Sequence, residues 1–283
     1  MKILLTTVLF IILAPVAGGL LSGFDRKISA RMQKRVGPSI LQPFYDVLKL
    51  FQKENVVVNI SQNLYAFCFL FFTVFTGVLF FNGADILLII FSLTLAGIFF
   101  VLGGYSTFSP YSFIGSEREL LSMVADEPMI ILTAVGMYMV TKSFSVADIA
   151  AYGTPLFFYI PGVFLGFLFI LTIKLKKSPF DLSTSHHAHQ ELVSGVTTEF
   201  SGKPLAWIEL AHWYENVFLL GIVYLFFAPV PVIGVAVALL AYFLEIFIDN
   251  INARVKWQWM LKSAWGAAIG LGVLNIFILY IVQ

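Results

Sequence analysis

The sequence is poor in charge and in cysteine, and both shortages exclude classes of protein. Only 12% of the 283 residues are Asp, Glu, Lys or Arg, about half of the share that soluble domains carry. The single cysteine, Cys68, excludes a disulfide scaffold and leaves no Cys-x-x-Cys pair for an iron–sulfur cluster or a zinc finger. A net charge of +1 gives no argument for nucleic acid as a partner. With 59% hydrophobic residues, the composition predicts a polytopic membrane protein.

Apolar runs predict eight transmembrane helices, since a helix needs about 20 apolar residues to cross the hydrocarbon of a bilayer. The predicted spans cover residues 3–24, 64–81, 86–103, 111–140, 157–173, 205–227, 232–249 and 264–282. No linker rich in Pro, Gly or Ser and no internal repeat is visible. We therefore expect an all-α, polytopic fold in which residues 1–283 form a single integral membrane domain.

Lysine and arginine are concentrated in three connecting segments, 24–63, 174–203 and 250–263. An even number of spans places all three segments on the same side of the bilayer. The positive-inside rule makes that side cytoplasmic. We expect both termini to face outward and the chain to lie in the cell (cytoplasmic) membrane.

Three local patterns predict how the connecting segments fold. In the first cytoplasmic loop, apolar residues at helical spacing predict an amphipathic helix that lies on the membrane surface or under a partner. These residues are Leu41, Phe44, Val47, Leu48 and Phe51. On the outer side, Ser145-Val-Ala-Asp148 has the spacing of a capping box and predicts a short helix. Asp85 lies at a tight turn, where we expect it to cap the next helix.

Ionisable residues inside the spans are the main candidates for function. A charged side chain at the bilayer centre costs about 2.5–3.5 kcal/mol on a translocon scale, so each one needs a reason. The candidates are Arg118, Asp126 and Glu127 in the fourth span and Glu209, His212 and Glu215 in the sixth. We interpret them as a polar, hydrated track. The alternatives are that Arg118 only neutralises one carboxylate and that the sixth-span stripe only pairs with a neighbouring helix.

The seventh predicted span ends with Glu245 and Asp249, four residues apart on one face. This pair is as compatible with end-of-helix groups as with a functional role. Moving one charge across 100 mV costs about 2.3 kcal/mol, and the sequence has no Gly-rich nucleotide-binding motif that would supply it. Any ion pumping must therefore be driven by a partner or by an ion gradient.

The third cytoplasmic loop contains His186, His187 and His189. Three close histidines suggest a metal, but zinc sites combine ligands from separated elements, and the His-x-x-x-His spacing of a helical site is missing. We therefore predict no metal site here and favour a docking or proton-handling loop.

Several motifs resemble a known family. Arg35-Val-Gly-Pro38, Leu41-Gln-Pro43 and the run Asp46–Glu54 resemble the first cytoplasmic loop of the complex I membrane subunit that seats the peripheral arm. Ser178-Pro-Phe-Asp181, Glu191-Leu-Val and Glu199-Phe-Ser-Gly202 resemble the third cytoplasmic loop of that subunit, and Gly115-x-x-Arg118 with Glu127 resembles its fourth span. These motifs follow one another in the family's order over nearly the whole chain.

At three places the sequence departs from the respiratory subunit and resembles a different branch of that family. The first loop lacks a second Gly-Pro element, the third loop has histidines where the respiratory subunit tends to have acidic residues, and the sixth span reads Trp213-Tyr-Glu-Asn216. The short first loop and the His-His-Ala-His-Gln-Glu-Leu-Val run resemble the corresponding membrane anchor subunit of energy-converting (membrane-bound, group 4) NiFe hydrogenases.

The resemblance implies an ion-translocating anchor in a ferredoxin-linked hydrogenase complex. Its implied partners are the NiFe large and small subunits, an iron–sulfur subunit and antiporter-like membrane subunits, and no cofactor is expected in this chain. The implied coupling residues are Arg118, Asp126, Glu127, Asp181, Glu191, Glu199, Glu209, His212 and Glu215. The implied docking residues are Arg35, Gly37, Pro38, Gln42, Pro43, Asp46, Pro179, Phe180, His186, His187 and His189.

Other functions remain open at this point. The chain could be the quinone-site subunit of a respiratory complex I-like NADH dehydrogenase, or the same module in a sulfur-reducing or formate hydrogenlyase complex. A self-contained secondary transporter would need a midplane substrate site and often has inverted repeats, which the sequence does not show.

Overall fold

A computed structural model describes residues 2–56, 59–177, 179–180, 183 and 192–282. These residues form ten α-helices and two short 3₁₀ turns, Leu156–Phe158 and Gly195–Thr197. The helices are α1 Lys2–Met32, α2 Gln42–Gln52, α3 Ile60–Phe81, α4 Ile86–Tyr105, α5 Pro110–Thr141, α6 Val146–Ala150, α7 Pro161–Lys174, α8 Lys203–Leu225, α9 Pro231–Ile251 and α10 Trp257–Val282, which contains a π-helical turn at Ala268–Val273. The predicted all-α fold is confirmed.

Eight of these helices correspond to the eight predicted spans. Among the described residues, six are long and apolar enough to cross a membrane, namely α1, α3, α4, α5, α9 and α10. Helix α7 is apolar but has only 14 residues, and α8 is more polar because it carries Glu209, His212 and Glu215. The polytopic class is thus confirmed, while crossing by α7 and α8 stays a prediction. Helix α1 also runs to Met32, eight residues beyond the predicted end of the first span.

The end of the protein that we predict to face outward is organised around the tight turn between α3 and α4. The Asp85 carboxylate caps α4, accepting hydrogen bonds from the backbone N–H of Leu87 at 2.8 Å and of Leu88 at 3.4 Å, as predicted. The predicted short helix also forms, as α6. Its capping box does not form: the Ser145 hydroxyl makes no cap hydrogen bond and donates to the Gly83 carbonyl at 3.1 Å. This bond ties α6 to the α3–α4 turn.

The amphipathic helix predicted in the first cytoplasmic loop is α2. Pro43 and Val47 are buried on its inner face, and Leu48 is exposed on the other. Asp46 fixes the helix to the end of α1, since it accepts hydrogen bonds from Arg26 at 2.6 Å and from Gln42 at 3.0 Å. Partial burial raises the pKa of Asp46, but these two bonds outweigh it and hold the pKa below its ordinary value.

Helix α1 approaches α8 and α2 closely because small residues line its inner face. A Cβ atom added to Gly18 would lie 2.4 Å from the Trp213 carbonyl oxygen on α8. One added to Gly19 would lie 2.5 Å from the Phe44 ring on α2. Membrane helices pack through such small residues, because lipid gives them little hydrophobic driving force for association. The fit of α1 therefore depends on the absence of side chains here.

We expect Gly18→Ala to destabilise the protein by about 1–3 kcal/mol, the usual cost of overpacking. Gly266→Ala on α10 is the matched control, since an added Cβ there meets no atom within 4 Å and a helical Gly→Ala change is worth roughly 0.5–1 kcal/mol of stability. The measurement is the thermal unfolding midpoint of both variants in detergent. Equal midpoints would contradict the close contact.

Candidate charge-relay site

Six ionisable side chains surround a small cavity, called here the inner cavity, between α3, α4, α5, α7 and α8. They are Glu119 and Asp126 on α5, Lys174 and Lys176 at the end of α7, and His212 and Glu215 on α8. The cavity has a volume of about 30 Å³, which is room for about two water molecules. Its remaining walls are largely apolar and include Phe69, Leu93 and Phe100.

The charged groups around the inner cavity form pairs. The Lys174 ammonium lies 3.1 Å from Asp126 Oδ2, and these side chains are only 14% and 3% exposed. The Lys176 ammonium lies 3.4 Å from Glu119 Oε1 and 4.5 Å from the centre of the Phe100 ring. Pairing is required here, since a buried charge without a partner is strongly destabilising.

The third pair joins two residues of α8. His212 Nδ1 lies 3.3 Å from Glu215 Oε2, and the imidazole packs edge-on against the rings of Phe69 and Phe100. Three carboxylates and two lysines leave the cluster at −1 when His212 is neutral and at zero when it is protonated. One proton bound within the cluster therefore decides whether the site is neutral. Asp126 Oδ1 is buried with no hydrogen-bond partner among the described residues, so the cluster is incompletely satisfied.

A larger cavity, the outer cavity, of about 610 Å³ lies beside the first. Its walls come from α1, the α1–α2 loop, the end of α7, α8 and α9, and they carry Asp25, Arg26, Arg35, Glu209 and Asp249. Three side chains line both cavities, and they are Lys174, Lys176 and His212. A charge that enters the outer cavity would therefore also act on groups that line the inner cavity.

Beyond Asp126 the interior becomes apolar. The next turn of α5 places Met129 and Ile130 in the main core, where Phe167 of α7 and Phe218 of α8 are also buried. Crossing this layer would cost an ion several kcal/mol in lost solvation. The charged cluster is thus closed on the side that leads towards α6.

The structure brings together some of the predicted coupling residues. Asp126, His212 and Glu215 meet at the inner cavity, and Glu209 lines the outer cavity. Glu127 follows Asp126 on α5 but lines neither cavity.

The other predicted coupling residues lie elsewhere. The Arg118 guanidinium lies over the Trp257 ring, 5.2 Å from its centre. Glu199 also lines neither cavity, and its backbone carbonyl accepts a hydrogen bond from Gln62 at 2.9 Å. Asp181 and Glu191 lie outside the described residues.

The predicted docking residues divide in a similar way. Arg35, Gly37 and Pro38 line the outer cavity, and the Gln42–Asp46 bond holds α2. Pro43 and Phe180 are buried, so they can support a docking surface only from within. The Pro179 carbonyl accepts a hydrogen bond from the Val255 N–H at 2.7 Å. The three loop histidines His186, His187 and His189 lie outside the described residues.

Sequence reasoning missed the lysines at the end of α7. It counted Lys174, Lys176 and Lys177 as charges of a cytoplasmic loop, whereas all three pair with acidic side chains. The signal was the uninterrupted apolar run that precedes Lys174, which places this residue in the last helical turn. It also missed Asp25, which accepts a hydrogen bond from the Lys177 ammonium.

We expect Lys174→Met to destabilise the protein by about 3–5 kcal/mol, because it leaves the buried Asp126 without its cation. The double variant Lys174→Met/Asp126→Asn should regain most of this loss. The measurement is a double-mutant cycle on unfolding midpoints of the purified protein in detergent, with the exposed Lys203→Met as control. Additive single and double effects would show that the two groups do not interact.

Three comparisons place the chain among known proteins. The NADH dehydrogenase family matches residues 4–280. The chain is 33% identical over 216 residues to Hydrogenase-4 component C of Escherichia coli (strain K12), a match that covers 69% of this chain and 64% of that protein. It is 28% identical over 313 residues to an NADH-quinone oxidoreductase subunit of Geobacillus kaustophilus (strain HTA426), a match that covers 97% of this chain and 91% of that protein.

The fold is similar to that of a solved chain. The solved chain comes from the structure of the membrane-bound sulfane sulfur reductase, an archaeal respiratory membrane complex. The TM-score between the two chains is 0.84, and their sequences are 23% identical. The match covers 99% of this protein and 100% of that chain. Together with the sequence matches, it confirms the resemblance inferred from the loop motifs. This protein belongs to the NADH dehydrogenase family and is a complex I-like, multi-pass membrane protein.

Proposed function

We propose that the chain is the ion-translocating membrane anchor of a ferredoxin-linked energy-converting hydrogenase complex in the cell membrane. It would couple electron transfer in docked soluble subunits to the transport of H⁺ or Na⁺. The observation that carries the proposal is the arrangement of two cavities in series, with Lys174, Lys176 and His212 on the wall between them.

The energies of this arrangement match the task. A unit charge that arrives about 10 Å from Lys174 interacts with it by about 1.7 kcal/mol at an effective dielectric constant near 20. Moving one ion across 100 mV costs about 2.3 kcal/mol. One redox event at the outer cavity therefore supplies an electrostatic change of the same order as the work of moving one ion.

The apolar layer at Met129 and Ile130 gives the displacement a direction. A proton or sodium ion cannot pass straight from the inner cavity through this layer without losing its solvation. We infer that the cluster instead transmits its charge change laterally to antiporter-like membrane subunits. In this scheme Asp126, Glu215 and His212 change partners or protonation, and the transported ion crosses in the neighbouring subunits.

We place the docked enzyme on the cytoplasmic loops, 25–54 and 178–203. The exposed side of α2 offers Leu41, Tyr45 and Leu48 to a partner, while Arg26 and Asp46 hold the helix in place. The NiFe centre and the iron–sulfur clusters would reside in the NiFe large and small subunits and an iron–sulfur subunit. A relative whose name makes it a component of a hydrogenase supports this choice of partner.

A quinone-site subunit is the second candidate, because the relative from Geobacillus kaustophilus, named as part of an NADH-quinone oxidoreductase, matches 97% of the chain. The outer cavity is large enough for a quinone ring, but its described walls carry many charged side chains, among them Arg26, Arg35, Glu209 and Asp249. Sites for flat apolar ligands are lined mainly by apolar and aromatic groups. The polar lining therefore favours charge coupling. The same module in a sulfur-reducing complex is supported by the shared fold alone.

Asp126→Asn should uncouple the complex. We expect electron transfer to continue while ion uptake into inverted membrane vesicles falls by about tenfold or more, equivalent to ~1.4 kcal/mol on the transport barrier. The reason is that the uncharged Asn side chain cannot form an ion pair with Lys174 and so cannot respond to its charge. The measurement is the number of ions moved per electron.

Asp148→Asn is the matched control, because this carboxylate is exposed on α6, away from both cavities. Its ion-to-electron ratio should equal that of the unmodified protein. Unchanged pumping in Asp126→Asn would overturn the role of the inner cavity. Glu127→Gln and Glu199→Gln test the remaining coupling residues in the same assay.

The identity of the docked enzyme is tested by what copurifies with the chain after gentle detergent extraction. We expect a nickel-containing large subunit, measured as stoichiometric nickel by elemental analysis, and turnover that quinone-site inhibitors do not affect. Absence of nickel together with inhibition by such compounds would replace this proposal with the quinone-site function.

A further inference from the structure

Helix α9 carries a buried carboxyl group that the inner cavity does not use. Glu245 is 1% exposed and lies six residues before the end of α9 at Ile251, or about 9 Å along the helix axis. Tyr242 and Asp249, one turn to either side of it, line the outer cavity, whereas Glu245 does not. Because residues three and four apart share a helix face, its carboxyl group lies beside the α9 wall of that cavity.

Glu245 has too few partners for a stable carboxylate. The Thr172 hydroxyl of α7 lies near its side chain, but Oε2 is buried with no hydrogen-bond partner among the described residues. The cation that acts on Glu245 is Lys177. That ammonium already donates to Asp25 of α1 and lies 3.9 Å from Asp249 Oδ2.

The charges around Glu245 determine whether its carboxyl group is more stable with or without a proton. The single ammonium of Lys177 faces three carboxyl groups, those of Asp25, Asp249 and Glu245. The other elements that pack against α9 bring Glu209 and His212 (α8), Arg26 (α1), and Lys174 and Lys176 (end of α7) to the same cavity. These three further cations are each paired with another carboxylate, namely Asp46, Asp126 and Glu119. A carboxyl group in this position is stabilised by taking up a proton.

We propose that Glu245 is a proton-binding site that exchanges its proton with the outer cavity through Asp249. The proton passes from cavity water to the Asp249 carboxylate and from there to Glu245 Oε2, and no electrons move. When Lys177 shifts from Asp25 towards α9, the added positive charge favours release of the proton by the same route. Whether Glu245 carries a proton therefore depends on the position of Lys177, whichever soluble enzyme docks on this chain.

The test is infrared spectroscopy of the purified complex in H₂O and D₂O. The carboxylic acid C=O region of the unmodified protein should contain one D₂O-sensitive band that is absent in Glu245→Gln, which has the shape of the protonated residue. Glu245→Asp should move the band without removing it. Glu54→Gln, at an exposed position of the α2–α3 loop, should leave the spectrum unchanged. Identical spectra for the unmodified protein and Glu245→Gln would overturn the proposal.

Two further measurements test whether the site binds a proton or another cation, and whether the proton passes through Asp249. In Asp249→Asn the H/D exchange of the Glu245 band should slow several-fold, and an unchanged exchange rate would refute the path through Asp249. Added NaCl should leave the band in place. If NaCl removes the band and a potassium salt does not, the site binds sodium, and the proposal of a proton site is wrong. Pumping by Asp126→Asn tests the inner cavity separately, so the two proposals can fail independently.

Discussion

The buried ion pair between Lys174 and Asp126 is the contact on which the rest of this structure depends. Two charges inside a membrane protein are tolerated only when they face each other and are shielded from lipid. Helix α7 meets this condition by ending at Lys174, so the ammonium reaches across to α5 at the level of Asp126. The pair then joins two helices, closes one side of the inner cavity and forms part of the wall of the outer cavity.

The need to shield this pair from lipid explains how the helices are arranged. Helix α5 is the most enclosed of the long apolar helices, because 56% of its most apolar segment is buried. In α10 only 17% of that segment is buried, so this helix lies at the periphery of the protein. Because α8 packs against α1, α3 and α9, it can carry Glu209, His212 and Glu215 without exposing all of them to hydrocarbon. The close contact at Gly18 brings α1 against α8 and completes this enclosure. A polar track through a membrane subunit therefore needs a surrounding ring of apolar helices.

The sequence predicts the fold class well because hydropathy and charge act locally. Apolar runs predicted the long helices, helical spacing predicted α2, and a lone carboxylate at a turn predicted the Asp85 cap. Three-dimensional pairing was harder, since Lys174 and Lys176 look like loop charges until α7 is seen to end between α5 and α8. The capping box did not form, and the Ser145 hydroxyl instead donates to Gly83, 62 residues away in the chain, a contact that local spacing does not predict. Local rules thus identify Asp126, His212 and Glu215 and miss the two lysines of the site.

The central claim is that charge at the outer cavity moves charge at the inner one through Lys174. The most direct measurement is electrometric: complexes are oriented in a supported membrane, electrons are delivered to the docked enzyme, and the charge displaced along the membrane normal is recorded. The account predicts a displacement that follows each electron in the unmodified protein and is lost in Lys174→Gln, while electron transfer to the enzyme continues. A displacement of the same size and speed in Lys174→Gln would contradict the account.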